Sequence, residues 1–202
     1  MYEVSTPLEA TVYLGADVIH SLVTANSMFS QFSSSTEERF NLTALWESSL
    51  QTYVLAKSIA RDQTDDEMMC SYASTSGLVM DIGTLVLCSA MPAEMEMLME
   101  EHKRTGEPMW QLESKKLGYS HMEVGAYIAS LWGLPNPIIE AIAYHHCPTR
   151  CGSNNFSALT AVHIASAIVH SANDENLVGY DDEYIDAVGV SGAVAGWRAN
   201  GV

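Results

Sequence analysis

Apolar residues recur three and four positions apart along nearly the whole chain, and Pro or Gly interrupts them at short intervals. That pattern admits a set of short to medium helices and little else. No segment of useful length alternates apolar with polar residues, and none repeats at a fixed period. The expected fold is all-α, built from many helices. "LEATVYLGADVIHSLVTANSMFSQF" reads as the first, with Leu14, Val18, Leu22 and Ala25 on one face and Gly15 as an interruption. A polar stretch, "SSSTEER", leads to a long helix, "LTALWESSLQTYVLAKSIARD", with Leu42, Leu45, Trp46, Leu50, Val54 and Ala60 facing inward.

Thr64 and Asp65 offer a cap for the next helix, through Met68, Tyr72 and Leu78. The segment after Asp81 is apolar enough to be a buried helix and stops near Pro92, which suits the first turn of "PAEMEMLMEEHKRTG". Pro108 opens a short helix. Ser120 and Glu123 form a capping box for "SHMEVGAYIASLWGLP", and "PIIEAIAYHH" ends before Pro148. "CPTRCGSNN" is a loop, "FSALTAVHIASAIVHSA" a helix, and the polar "NDENLVGYDDE" joins it to two short helices. With no Gly-rich linker, the chain reads as one domain over residues 1–202. Its core runs over about 8–172, with C-terminal helices at about 180–199.

A hydrophobic content of 48% supplies a sizeable core. The net charge of −16, from 25 acidic against 9 basic residues, repels phosphate backbones and anionic lipid, so neither nucleic acid nor membrane is an expected partner. No uninterrupted stretch reaches the roughly 18 apolar residues of a membrane span. The N-terminus lacks the regions of a signal peptide. Four cysteines, Cys70, Cys88, Cys147 and Cys151, do not make a disulfide framework in a chain this long. A reduced, cytoplasmic protein is expected.

"GLVMDIGTLVL" places one carboxylate, Asp81, in an apolar run, where burial is costly unless the charge is paired or ligated. It reads either as the N-cap of the following helix or as a metal ligand. His121, just after a cap, either packs or ligates. His145 and His146, adjacent near a helix end, cannot both face one way, so one ligates while the other hydrogen-bonds, or both are structural. His163 lies on an apolar helix face as a satisfied core histidine, and His20, His102 and His170 read as surface residues without partners. A zinc reading of His146, Cys147 and Cys151 is disfavoured by the short C-x3-C spacing. Met95, Met97 and Met99 suit packing and adaptable contact. No Gly-rich phosphate loop, G-x-S-x-G or Cys/His nucleophile pattern is present.

Taken in order, "LWESSLQTYVLAKSIA", "SGLVMDIGTLVL", "LGYSHMEVGAYIASLWGLPNPIIEAIAYHHCP" and "LTAVHIASAIVH" resemble the HDOD family, a branch of the HD phosphohydrolase superfamily. The likeness runs from about Val4 to "VGVSGAVAGW". The third motif carries it best. The resemblance implies further N-terminal helices that this chain does not show, and hence uncovered apolar surface on the helix from Leu8, suited to a homodimer or another protein.

Catalytic relatives hold divalent metal with an early histidine, a His-Asp doublet, further histidines and a late aspartate, and so activate water. Carried over by position, the early histidine falls at Ser48, the doublet at Met80 and Asp81, a lysine at Thr84 and the late aspartate at Ser166. Asp81, His121, His145 and His146 match. Hydroxyl and thioether are poor ligands for a hard divalent ion, so no dinuclear site and no catalysis are expected. The surviving four read as a vestigial site without cofactor. The alternative is one divalent transition metal (Zn, Mn, Fe or Ni). The resemblance implies a non-catalytic module of a bacterial regulatory pathway, with receiver or diguanylate-cyclase type signalling proteins as partners. Its rivals are a mononuclear phosphohydrolase and a nucleotide or small-ligand sensor.

Overall fold

The computed structural model describes residues 40–171 and 179–200, which form ten α-helices, one 3-10 turn and no strand. The expected helix beginning near Leu8, the "SSSTEER" stretch, His20 and most of "NDENLVGYDDE" lie outside the described residues. The helices are α1 (Leu42–Gln63), α2 (Glu67–Val79), α3 (Ile82–Ala90), α4 (Pro92–Thr105) and α5 (Met109–Leu117). There follow α6 (His121–Leu131), α7 (Asn136–Tyr144), the 3-10 turn Pro148–Cys151, α8 (Ala158–His170), α9 (Asp182–Val188) and α10 (Ser191–Asn200).

Helix boundaries follow the local chemistry. Gly106 and Gly118 adopt φ of 71° and 85° to close α4 and α5, a conformation that costs a side chain. The Ser120–Glu123 capping box starts α6 as expected: Glu123 accepts from both the Ser120 N–H and its hydroxyl. At α2 the cap moves by one residue. Asp66, rather than Asp65, accepts from the Met68 and Met69 N–H groups, and Thr64 Oγ1 accepts the Asp66 N–H.

The inward face of α1 also differs from the sequence expectation. Val54 is 64% exposed, while Ser49 and Thr52 are buried in its place. Both hydroxyls donate to the carbonyl four residues back, Leu45 and Ser48 respectively, so their burial leaves no orphan donor. Small size also matters there. A Cβ on Gly77 of α2 would stand 2.9 Å from the Thr52 carbonyl oxygen, so the two backbones touch.

Two apolar clusters result. One joins α1, α2 and α8 with the C-terminal helices through Ile59, Met80, Ile164, Ile185 and Trp197. The other joins α2–α7 through Leu78, Ile82, Leu85, Leu112 and Ile142. Met80 belongs to the first and Ile82 to the second, which leaves Asp81 at the seam. The run Glu67–Ala90 is apolar and long enough on composition to cross a membrane. Yet 67% of its most apolar window is buried in this fold, and the chain turns at Met80–Asp81 between α2 and α3.

Candidate metal centre

Asp81 occupies the N-cap position of α3 but does not cap it. Its φ and ψ of −94° and 13° put it in the sparsely populated bridge region, and its carboxylate makes no bond to the first turn of α3. The carboxylate points instead at two imidazoles: Oδ1 stands 3.8 Å from His121 Nε2 and 3.7 Å from His145 Nε2. His121 is the first residue of α6, while His145 and His146 form the turn that ends α7. In the turn that ends α7 the adjacent histidines converge, with ring centroids 4.2 Å apart. One ligand atom from each of Asp81, His121, His145 and His146 lies within 4.8 Å of the others.

Close helix packing permits this convergence. A Cβ on Gly83 would stand 1.9 Å from the His121 carbonyl oxygen, and one on Gly125 would stand 3.0 Å from Ile142. Glycine on both faces lets α3 and α6 approach at the level of the site.

The tautomers are set from outside. Glu113, 1% exposed on α5, accepts both the His121 N–H at 2.8 Å and its Nδ1–H at 2.7 Å. His145 Nδ1–H donates to the Ile142 carbonyl at 2.9 Å. Each ring therefore turns an Nε2 lone pair toward Asp81, and both Nε2 atoms are buried with no hydrogen-bond partner. Imidazoles fixed at one nitrogen by carboxylate or carbonyl, with the other nitrogen free, are the usual arrangement around a protein-bound metal.

Burial pushes His145 down to about 4 and His146 well below the usual histidine range, which keeps both neutral and able to ligate. Burial lowers His121 too, but the hydrogen bond and charge of Glu113, then the charges of Asp81 and Glu123, leave it above its ordinary value. The charges of Glu113, Asp81 and Glu123 around His121 suit a cation.

The donor set fits an ion. Contacts of 3.7–3.8 Å are too long for hydrogen bonds. Two atoms bound about 2.1 Å from a tetrahedral ion lie roughly 3.4 Å apart, close to this spacing. One carboxylate with imidazoles suits Zn, Mn, Fe or Ni.

The expected replacement positions hold hydroxyls and a thioether. Met80 is fully buried among core side chains. Ser166 Oγ lies 3.3 Å from His170 Nδ1. Ser48 and Thr84 line a cavity of about 860 Å³ with Leu42, Leu45, Cys88 and His170, and the Ser48 hydroxyl has no partner. His163 is a satisfied core histidine, bonded at both ring nitrogens. His102 and His170 are exposed as expected but not partnerless: their Nδ1 atoms bond the Glu107 and Ser166 carbonyls. His146, Cys147 and Cys151 form no metal-holding group among the described residues.

Glu113 was not apparent in the sequence. Its only signal is a charge beside Leu112 on the buried side of a short helix, and its partner is a backbone N–H eight residues on.

A profile of the HDOD domain matches residues 1–148. The chain belongs to the HDOD family. Solved structures agree with that fold. A provisionally assigned phosphohydrolase from Shewanella amazonensis SB2B superposes with a TM-score of 0.77 at 20% identity, covering 98% of this chain and 73% of that one. An HDOD domain protein of unknown function from Geobacter sulfurreducens gives 0.66 at 20% identity, over 99% and 75%. The MmoQ response regulator of Methylococcus capsulatus str. Bath gives 0.57 at 22% identity, over 81% and 64%. In sequence, an uncharacterised protein of Treponema pallidum (strain Nichols) is 30% identical over 102 residues, half of this HDOD chain and a fifth of that protein's length.

Proposed function

We propose that this HDOD chain is a non-hydrolytic regulatory module of the cytoplasm, acting through protein contacts, in which Asp81, His121, His145 and His146 hold a single divalent transition metal. The observation that carries the metal is the pair of buried, unpartnered Nε2 atoms aimed at Asp81. The sequence alone favoured a vestigial site without cofactor. Two orphaned acceptors, each costing about 1–3 kcal/mol when left unsatisfied, argue for an ion instead.

Lack of hydrolysis is supported by the positions that would supply further ligands. Met80 turns a thioether into the core, while Ser48 and Ser166 offer only hydroxyls. When bound, a divalent ion would supply charge neutralisation for Asp81. His121, held by Glu113, and His145, held by Ile142, would present Nε2 to it. With the ion in place the centre ties the start of α3 to the start of α6 and the end of α7.

Contact with other proteins is supported by Tyr127, Leu131 and Trp132, exposed at 66%, 68% and 49% on α6 and the residue that closes it. Exposed apolar side chains grouped on one element suit a contact site. The fold neighbour named as a response regulator lends support to a signalling setting, in which receiver or diguanylate-cyclase type modules would be the partners.

Metal analysis of protein purified without chelators, alongside hydrolysis of bis-p-nitrophenyl phosphate and cyclic dinucleotides, tests the reading. One equivalent of metal with no turnover is expected. Metal-dependent turnover abolished by Asp81→Ala would establish the mononuclear phosphohydrolase instead.

A further inference from the structure

The turn that carries His145 and His146 is gripped by elements that take no part in the metal centre. His163, 1% exposed on α8, uses both ring nitrogens. Its Nδ1–H donates to the His145 carbonyl at 2.7 Å, and its Nε2 accepts the Asp181 N–H at 3.0 Å. Asp181 caps α9 by accepting the Tyr184 N–H at 3.0 Å, and its other oxygen accepts the Thr149 hydroxyl at 2.5 Å. Thr149 sits in the 3-10 turn directly after the two histidines. The segment entering α9 therefore holds the metal-bearing turn twice, once through His163 and once through Thr149.

Two further contacts make this connection stiff. The His163 ring stacks on Tyr180 with centroids 6.0 Å apart at 15°, and the buried Tyr184 hydroxyl shares a hydrogen bond with Thr160 of α8 at 2.8 Å. Beyond α9, α10 is fastened to α1 by the Trp197 Nε1–H, which donates to Asp62 at 2.9 Å.

We propose that His163 is a positioning residue coupling metal occupancy at His145 and His146 to the docking of the C-terminal helices α9 and α10. The inference rests on the metal reading above. Its physical basis is that one residue, His145, is held at three points: Nε2 faces Asp81, Nδ1 is tied to Ile142, and the carbonyl is tied to His163. With Nδ1 fixed, the ring cannot turn to meet an ion without moving the peptide that His163 holds. That displacement passes through the ring to the Asp181 N–H, the first residue of the α9 cap. Coupling of this kind is reciprocal, so undocking of α9 also weakens the metal.

Hydrogen exchange on the full chain tests this, comparing chelator-treated protein with protein given one equivalent of Zn²⁺. Zn²⁺ is expected to slow exchange over residues 182–199 about five-fold, a typical coupling, with no change in α4. His163→Asn keeps a donor near the His145 carbonyl but loses the acceptor for Asp181, so it should bind Zn²⁺ yet lose that protection. Zn²⁺ binding without protection of 182–199, or full protection in His163→Asn, would overturn the proposal. Failure of Zn²⁺ to bind would sink the metal reading instead. The link is then decided in metal-free protein by Thr149→Val, which alters no histidine. Faster exchange over residues 145–151 and 182–188 supports the link, and unchanged exchange there refutes it.

Discussion

Gly83→Ala is the most direct test of how the fold builds the site. The added methyl would stand 1.9 Å from the His121 carbonyl oxygen and 2.8 Å from the Gly125 nitrogen. Both are backbone atoms, so no side chain can rotate away, and α3 and α6 must part by roughly 1.5 Å to restore ordinary contact. Two terms oppose each other. Alanine in a helix interior is better than glycine by about 1 kcal/mol. Overpacking costs about 1–3 kcal/mol, and more where the neighbour is rigid backbone. The second term wins, leaving a net loss of about 2 kcal/mol. For a chain of this size that lowers Tm by roughly 4–8 °C. Because the displaced atom belongs to His121, metal content should fall together with stability.

Urea unfolding followed by circular dichroism measures the first effect, and metal analysis the second. Gly192→Ala in α10 is the control, since a Cβ there meets nothing within 4 Å; it should gain up to about 1 kcal/mol. If Gly83→Ala were as stable as the parent and bound metal equally, the close approach of α3 and α6 would not be what sets the site.

Glu113→Gln keeps the shape but removes the charge that holds His121. Metal affinity should fall about 10–100-fold, read by competition with a chromophoric chelator, and an unchanged affinity would deny Glu113 its role. Asp66→Ala should cost about 1 kcal/mol as a lost cap, whereas Asp65→Ala should change stability by less than about 0.5 kcal/mol; equal effects in urea would contradict the cap at Asp66. In metal-free protein, His145, His146 and His163 all titrate below their ordinary value because they are buried. The unfolded chain therefore takes up protons first, so this stabilisation is complete above about pH 6.5 and is lost as pH falls below it. His121 runs the other way, since its raised value favours the folded state at lower pH. With three groups against one, the urea midpoint should drop between pH 7.5 and 5; a midpoint that held or rose would refute the assignment of neutral buried histidines.

Much of the helix pattern was legible because punctuation is local. Pro92, Gly106, Pro108 and the Ser120–Glu123 box act on their own neighbours, and each marks the boundary seen in the fold. The inward face of α1 was not, because apolar spacing counts Ser49 and Thr52 as polar. Their hydroxyls are satisfied inside their own helix, so they bury at little cost, and Val54 is left outside. The four candidate ligands stood out as a carboxylate and histidines in apolar surroundings, within motifs that also mark the family. Glu113 did not, because what identifies it is a contact with the main chain of another helix. Asp81 had two sequence readings; it keeps the helix-start position of the first, while its side chain faces the histidines of the second.

That division has a mechanical outcome. An aspartate at a helix start ordinarily folds its carboxylate back onto the first-turn amides, worth about 0.5–2 kcal/mol to the helix. Asp81 turns it outward to the histidines, and the first turn of α3 goes without. The side chain that could firm the start of α3 is thus the one that faces the histidines.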